Sequence, residues 1–460
     1  MRNISDRLSA DWPSDIIDKH PTHAATPELQ EYAAFRQSVM QARLGFSPTS
    51  PKPDVTSLLN GAASHALDKL VERKFRSSFG MFFSGQAIAS LVASKIKNKL
   101  QQGASVADPA CGAGDLLLAC LEHMPIVKDK SFAKWGEKIY GLDIHSELAA
   151  VTRERIALFA TISGIGDALP DSEQVDWDNY LPSIRANDYF HEPQFVASAD
   201  CVVMNPPFLD VPAPGKCEWS SGKVQLAGLF MESVVIAAKA GQEIVAILPD
   251  VLRSGSRYGK WRKKIAQYAE ILEVEVYGRF DAKTDVDVFI LHLEKRSQIL
   301  SEGREWKTAS KRNDRKSKKI GDCFDVSVGA VVPHRHSNKG AWFPYVDVAG
   351  APRFGETLVE AKLRWDKTAT QGPFLVVRRT SSPSDPQRLV TTVILNTEPV
   401  AVENHLIVLR PKDSSVETCR RIASYLQKQS VTNWLNKQIR CRHLTTKVIK
   451  ELRVPVEELA

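Results

Sequence analysis

The sequence lacks any apolar run long enough to cross a membrane. A membrane-spanning helix needs roughly 20 apolar residues, and no uninterrupted stretch approaches that length. The opening residues MRNISDRLSADWPSD contain no apolar signal-peptide core. The seven cysteines are scattered and never form a C-x-x-C pair, which argues against a disulfide framework and against a zinc site. We therefore expect a cytoplasmic protein with reduced thiols, no membrane association and no metal.

The sequence also has no internal repeat and no even distribution of charge. Residues 295–460 hold 30 Lys and Arg against 17 Asp and Glu, whereas the rest of the chain holds 31 against 37. The basic excess is therefore confined to the last third, which indicates that a polyanion contacts this part of the chain. A solvated basic surface without a partner is the alternative. A length of 460 residues favours two or three compact units.

The pattern along the chain divides it into four segments. Residues 1–75 are irregular and then helical, and we expect a short N-terminal helical arm. Residues 76–300 alternate short β-rich runs with helical stretches, which predicts an α/β domain with a doubly wound, mainly parallel sheet of Rossmann-like type. Residues 301–319 are polar and basic and indicate a linker. Residues 320–460 predict a second, α+β domain.

Individual elements follow from the same pattern. The predicted helices cover 87–100, 114–124, 146–164, 226–241 and 416–429, and the predicted strands cover 105–110, 138–144, 200–208, 243–250, 286–294, 374–379 and 405–410. Ligands of doubly wound sheets bind beyond the carboxyl ends of the strands. We therefore look for functional residues where the predicted strands end.

Two motifs in the first half of the α/β region are typical of a nucleotide-like cofactor. The run VADPACGAGDL leads a strand into a loop with Gly112 and Gly114, whose small size lets the backbone approach a ligand. The third glycine of a dinucleotide fingerprint is missing, which weakens a nicotinamide interpretation. About 30 residues later, GLDIH places Asp143 at the end of the next strand, where a carboxylate can accept hydrogen bonds from ribose hydroxyls. Each motif by itself is also compatible with a structural turn.

A third motif, VVMNPPF, indicates a site for an amino-group substrate. A buried strand delivers Asn205 to its carboxyl end, and Pro206 and Pro207 then remove two backbone donors and leave only acceptors. If the Asn205 amide oxygen and the Pro206 carbonyl each accept one amino hydrogen, the nitrogen lone pair is directed at an incoming methyl group. Phe208 offers an aromatic face on which a planar base can stack.

In this order DPACGAG, GLDI and NPPF resemble the motifs of N6-adenine DNA methyltransferases, in the gamma arrangement with the cofactor segment first. The resemblance covers about residues 75–460. It implies S-adenosylmethionine as cofactor, duplex DNA with a flipped-out adenine as substrate, and a C-terminal target-recognition domain. It also implies a separately encoded restriction endonuclease as a possible partner. The N-terminal 75 residues are too short for a complete nuclease domain.

The resemblance assigns roles to further residues. The segment GMFFSG before the first strand is similar to the family's segment that closes over the cofactor, with Ser84 in the threonine position. Asp188 takes the position that binds the cofactor's adenine, and Phe280 that of a second aromatic against the base. The implied cofactor-binding residues are Ser84, Asp108, Ala110, Gly112, Gly114, Asp143, Ile144, Asp188 and Asn205. The implied catalytic residues are Asn205, Pro206, Pro207 and Phe208.

The substrate-binding candidates are Phe208, Phe280, Arg378 and Arg379. The two arginines follow the apolar run FLVV, where their guanidinium groups could reach phosphates or guanine edges. Solvated charges at the end of a strand are the alternative interpretation of this pair.

Other functions use similar residues. Protein-glutamine methyltransferases and RNA-base N-methyltransferases also present an Asn-Pro-Pro-aromatic site. The basic segment of about 140 residues beyond the catalytic sheet favours DNA, because a glutamine methyltransferase does not need it. A DNA-binding module without catalysis has no need for both the Asp143 and the Asn205 motifs.

Overall fold

The computed structural model describes residues 27–46, 55–59, 61–125, 132–165, 172–215, 217–280, 286–303, 306, 317–335 and 339–459. They form two compact units, one from residues up to 253 together with 257–306, the other from 254–256 and 307 onward. Most of the predicted linker, including 307–316, lies outside the described residues. The domain boundaries inferred from the sequence therefore stay predictions.

The first unit alternates helices and strands through most of its length. Its helices are α1 (Ala33–Leu44), α2 (Thr56–Leu59), α3 (Ala62–Leu70), α4 (Arg73–Phe79), α5 (Gln86–Lys95), α6 (Lys97–Gln101), α7 (Asp115–Leu121), α8 (Phe132–Gly136), α9 (Ser146–Ser163), α10 (Trp177–Tyr180), α11 (Leu226–Ala237), α12 (Asp250–Ser254) and α13 (Gly259–Tyr268). Its strands are β1 (Val106–Asp108), β2 (Ile139–Asp143), β3 (Ile184–Ala186), β4 (Cys201–Met204), β5 (Asp210–Pro212), β6 (Lys223–Gln225), β7 (Glu243–Pro249), β8 (Ala269–Arg279) and β9 (Asp287–Lys295).

Seven of these strands form one sheet in the order β3-β2-β1-β4-β7-β9-β8. The first five are parallel, and β9 is antiparallel to both of its neighbours. The strand order changes direction between β1 and β4, where the crevice of a doubly wound sheet binds ligands. The predicted fold class, a Rossmann-like and mainly parallel α/β sheet, is confirmed.

Both faces of this sheet are buried because its strands carry apolar residues in succession. Val106 and Val203 belong to the core on one face, and Ala107 and Val202 to the core on the other. This arrangement follows from the alternation of side chains along a strand, and it explains why the strands have continuous apolar runs. Helices α5, α7 and α9 cover one face, and α11 and α13 cover the other.

The helices of the predicted N-terminal arm share the core of the first unit. Leu29, Tyr32 and Val39 are buried in the same cluster as Val106 of β1. Arg43 on α1 also forms a buried ion pair with Glu154 on α9, with 3.3 Å between the nitrogen and the oxygen. The described part of this arm therefore helps to build the sheet's helical layer.

The second unit is an α+β structure with two larger sheets. Its helices are α14 (Ile320–Cys323), α15 (Val416–Leu426), α16 (Gln429–Gln438) and α17 (Thr446–Glu451). Its strands are β10 (Ser317–Lys319), β11 (Phe324–Val328), β12 (Ala341–Val346), β13 (Gly355–Thr357), β14 (Lys362–Trp365), β15 (Thr370–Gln371), β16 (Phe374–Arg378), β17 (Thr391–Ile394), β18 (Pro399–Val402), β19 (Leu406–Pro411) and β20 (Arg453–Pro455). The sheets have the orders β11-β19-β16-β17-β13 and β14-β12-β18-β15.

Several elements differ from those predicted by the sequence, and β3 and α13 are among those that were not predicted. The single helix predicted over 87–100 is two helices, because the backbone of Ile96 leaves helical geometry at φ −110° and ψ 10° while its side chain is buried. The eleven-residue strand β8 was not predicted, although its run EVEV (273–276) alternates polar and apolar residues as a half-exposed strand does. None of the described helices combines the length and apolar character that crossing a bilayer requires.

Candidate active site

Polar side chains stand at the carboxyl ends of four neighbouring strands. Asp108 ends β1, Asp143 ends β2, Asp188 follows β3, and Asn205 follows β4. Because these strands are parallel and adjacent in the sheet, their carboxyl ends lie along one edge. The structure thus brings the four predicted residues to the same edge of the sheet.

The glycine loop after β1 is held by the carboxylate of Asp143. The backbone N–H of Gly112 donates to Asp143 Oδ2 over 3.0 Å, and the backbone N–H of His145 donates to Oδ1 over 2.9 Å. Gly112 and Gly114 have φ values of +53° and +88°, which favour glycine. Each carboxylate oxygen keeps a lone pair for a further donor, so the predicted ribose contact of Asp143 is compatible with these bonds. Burial raises the pKa of this carboxyl.

Asp108 lies under the same loop and is 1% exposed. Burial raises the pKa of Asp108 to about 8, although the backbone N–H of Ala110 donates to its Oδ1 over 3.0 Å and favours the charged form. The nearby Asp143 raises this pKa further. Asp108 is therefore mostly protonated at pH 7 in the folded protein.

We expect Asp108→Asn to change how stability depends on pH. The carboxyl ionises near pH 4 in the unfolded chain, so it destabilises the wild type progressively as pH rises from about 4 to about 8, by up to about 1.4 kcal/mol per pH unit. Asparagine cannot ionise, so the variant gains stability relative to wild type over this range. Urea unfolding at several pH values measures the difference. Parallel curves would contradict the assignment, and Asp178→Asn, at an exposed carboxylate, is the control.

The side-chain amide of Asn205 has a defined orientation. Its Nδ2 donates to the carbonyl of Phe82 over 2.6 Å and to Ser84 Oγ over 3.1 Å. Its Oδ1 is buried and has no hydrogen-bond partner among the described residues. A buried carbonyl oxygen without a donor is costly, so this atom is a candidate acceptor for a ligand amine.

Ser84 was assigned to the cofactor by the sequence resemblance. In the structure Ser84 is 3% exposed, and its hydroxyl accepts the hydrogen bond from Asn205. The preceding segment contacts the motif as well, because the N–H of Phe208 donates to the carbonyl of Gly80 over 3.3 Å. A Cβ at Gly80, whose φ is +63°, would lie 2.8 Å from the nitrogen of Phe208. The segment before β1 therefore supports Asn205 and Phe208 directly.

Three aromatic rings meet beside Asn205. Phe208 stacks on Phe82 with centroids 5.6 Å apart and an interplanar angle of 28°. Phe280 contacts Phe208 edge-on, with centroids 5.8 Å apart and an interplanar angle of 81°. The structure thus brings together the predicted Phe208 and Phe280. A base that stacks between two rings needs about 7 Å between the ring planes, twice a contact distance of about 3.5 Å. The edge contact of Phe280 with Phe208 therefore leaves no space for a base between these two rings.

Phe82 was not assigned by the sequence. It supplies both the carbonyl that orients Asn205 and the ring that covers Phe208. Its place two residues before Ser84, within a glycine-aromatic segment, is the signal in the sequence that could have identified it.

The remaining candidates have local partners. The Oδ1 of Asp188 accepts from the N–H of Phe190 over 2.8 Å, as the cap of a short 3-10 turn, and the Asp188 side chain is buried. In the second unit, Arg378 donates to the carbonyls of Val348 and Ala351, each over 3.2 Å. Arg379 donates to the carbonyl of Asn404 over 3.5 Å. Contact of these arginines with DNA stays a prediction.

Comparison with known proteins identifies related sequences. The family model described as "N-6 DNA Methylase" matches residues 65–298, just over half of the chain. The type II methyltransferase M.PstI of Providencia stuartii is 20% identical over 238 residues, which are 49% of this chain and 44% of that protein. The chain therefore spans less than half the length of this curated relative.

Two restriction-enzyme proteins are among the solved structures to which this chain is similar. The type IIG restriction endonuclease BpuSI has 12% sequence identity and a TM-score of 0.46, over 95% of this chain and 68% of that chain. A modification subunit of a putative type I restriction enzyme from Vibrio vulnificus YJ016 has 18% identity and a TM-score of 0.32, over 52% of this chain and 51% of that chain.

Proposed function

The chain belongs to the N-6 DNA Methylase family, and we propose that it transfers the methyl group of S-adenosylmethionine to the N6 amino group of adenine in duplex DNA. One observation carries the proposal. The amide of Asn205 is oriented by Phe82 and Ser84 so that its oxygen is left as a buried acceptor at the sheet edge.

An oriented acceptor is what an exocyclic amine requires. The amine nitrogen donates one hydrogen to Asn205 Oδ1 and the other to the carbonyl of Pro206, and its lone pair is then turned out of conjugation with the ring. The protein needs no strong base for this step, because the methylated amine can lose its proton to water after transfer. Positioning of the two reacting atoms is therefore the main contribution of the chain.

The residues along the sheet edge fit S-adenosylmethionine. Gly112 and Gly114 leave the loop after β1 without a side chain at two positions, and Asp143 lies at the end of β2 beside it. We expect Asp143 to accept from the ribose hydroxyls and Asp188 from the amino group of the cofactor's adenine. The remaining cofactor candidates Asp108, Ala110 and Ile144 flank these contacts in sequence. When bound, the cofactor would supply a methyl group activated by the positive charge of its sulfonium.

The target adenine has to leave the duplex to reach Asn205. Extrusion of a paired base costs a few kcal/mol, which stacking and phosphate contacts offset. Since Phe82 covers one face of Phe208, we expect the base to displace the Phe82 ring and take its place. Phe280 would then contact the base edge or its other face. Pro207 keeps the turn before Phe208 rigid.

The basic last third of the chain is the proposed contact surface for the duplex. Arg379 lies beside a basic loop, because the N–H of Leu444 donates to its carbonyl over 2.8 Å, and Arg442 in this loop is exposed. Loss of phosphate contacts here would weaken binding to all duplexes, whereas loss of base contacts would affect only the specific sequence. We further propose that the chain serves a restriction-modification system with a separately encoded endonuclease.

The product of the reaction tests this function. We expect N6-methyladenine in duplex DNA incubated with the protein and S-adenosylmethionine, because Asn205 and Pro206 accept the two hydrogens of an exocyclic amine and the family, N-6 DNA Methylase, favours adenine over cytosine. Mass spectrometry of the digested duplex measures it, with duplex incubated without cofactor as the control. Methylated glutamine in protein substrates or a methylated base in RNA, with none in the duplex, would instead support the alternative methyltransferases. N4-methylcytosine as the sole product would contradict the adenine assignment.

A further inference from the structure

A tryptophan stands out on the surface of the second unit. Trp342 on β12 is 64% exposed, although a side chain of this size usually buries most of its apolar area. The residues that follow it in the strand are less exposed, and Phe343 packs with Leu363 against Trp365 and Val331. Trp342 is therefore exposed within a strand that is paired with β14, and its exposure does not result from local unfolding.

The register of β12 with β14 defines this face. Trp342 lies directly opposite Arg364, and Pro344 lies opposite Lys362. Side chains of opposite residues in an antiparallel pair point to the same side of the sheet, about 4.5–5.5 Å apart at Cβ. We call Trp342, Lys362 and Arg364 the ribbon face. The residues between them point to the other side and form a small apolar core.

Both cations of the ribbon face are exposed. Arg364, which lies opposite Trp342 in the register, donates its Nε–H to the carbonyl of Gly340 over 3.2 Å, and this bond uses one of its five N–H donors. Glu360 and Asp366 lie near the two ends of β14 in sequence, outside the paired positions of the face. An exposed aromatic ring beside two cations on a strand pair matches a polyanion that also offers apolar sugar and groove surfaces.

We infer that the ribbon face is a contact surface for duplex DNA, in which Lys362 and Arg364 bind phosphates and Trp342 packs against the sugar and base edges between them. This inference rests on the proposed function and adds the residues through which the second unit holds its substrate. Self-association through the same face would bring the cations of two copies together, so charge favours DNA as the occupant.

Duplex binding by the full-length chain tests the inference. A short fluorescein-labelled duplex of mixed sequence is titrated at several salt concentrations with the wild type, Trp342→Ala, Trp342→Phe and the double variant Lys362→Ala/Arg364→Ala. Trp342→Ala should raise the Kd about tenfold, and Trp342→Phe should restore most of the affinity. The double variant should lower the slope of log affinity against log salt by about 1.8, since each phosphate contact contributes about 0.9.

Matched controls separate this effect from general damage. Leu358→Ala removes another exposed apolar side chain of the second unit, and Arg410→Ala removes a cation that is paired with Asp325. Both should leave duplex binding unchanged. All variants should bind S-adenosylmethionine like the wild type in calorimetry.

Three results would overturn the inference. In the first, the wild type methylates DNA, but Trp342→Ala and the double variant both bind the duplex as tightly as the wild type does. In the second, Trp342→Ala changes the sedimentation of the protein but not its affinity for the duplex, which would assign the ribbon face to a second copy of the chain. In the third, the variants bind single-stranded DNA or RNA more weakly than the wild type does but bind duplex DNA equally well. Failure of the wild type to bind cofactor or to methylate DNA would instead refute the proposed function.

Discussion

Replacement of Asn205 by alanine is expected to lower methyl transfer by at least about a hundredfold while leaving cofactor affinity within about twofold of wild type. A hundredfold loss of rate is the usual effect of removing one oriented hydrogen-bonding group that stabilises a transition state. Cofactor affinity is preserved because the Asn205 side chain contacts Phe82 and Ser84 and its oxygen is assigned to the substrate amine, so the implied cofactor contact of this residue is assigned to its backbone, which alanine keeps. Labelled methyl transfer to duplex DNA measures the first quantity, and calorimetry measures the second.

Two further variants sharpen this prediction. Asn205→Asp keeps acceptor oxygens but loses the two donors that orient the side chain, so it should restore little activity. Asn98→Ala makes the same substitution at an exposed position on α6 and should behave like the wild type. Unimpaired methylation by Asn205→Ala would refute the catalytic role, and loss of cofactor binding would reassign the residue to the cofactor.

Replacement of Arg155 by alanine is expected to destabilise the first unit by about 3–5 kcal/mol, the usual cost of breaking a buried ion pair. Arg155 on α9 is fully buried and pairs with Asp115 over 2.8 Å. Its other N–H groups donate to the carbonyls of Leu58, Leu59 and Ala113. The variant leaves these carbonyls and the carboxylate buried without their donor.

The unfolding free energy from urea titration, followed by circular dichroism, measures this effect. Arg73→Ala on α4 is the matched control, because Arg73 is exposed, and it should change stability by less than about 0.5 kcal/mol. A loss below about 1 kcal/mol in Arg155→Ala would show that water or a neighbouring side chain replaces the guanidinium. Since Ala113 lies in the glycine loop, we also expect the variant to bind S-adenosylmethionine more weakly.

The sequence by itself determined the fold class and the position of the main catalytic candidate. Alternating apolar strands and helical stretches predicted the parallel sheet, because side-chain periodicity and glycine or proline punctuation are local properties of the chain. The motifs then indicated where the strands end, so the sequence predicted that Asp143 and Asn205 lie on one edge of the sheet. The same reasoning missed β8, although its run EVEV (273–276) alternates polar and apolar residues as a half-exposed strand does, and its pairing with β9 is seen only in the folded chain.

Tertiary structure decided how these residues are used. The orientation of the Asn205 amide depends on Phe82 and Ser84, which are more than 120 positions away in the chain. The stack of Phe82 on Phe208 and the exposure of Trp342 likewise depend on packing and on strand register. Periodicity shows which residues alternate along one element, whereas the hydrogen-bond partner of an amide and the solvent side of a strand are set by elements that meet only after folding.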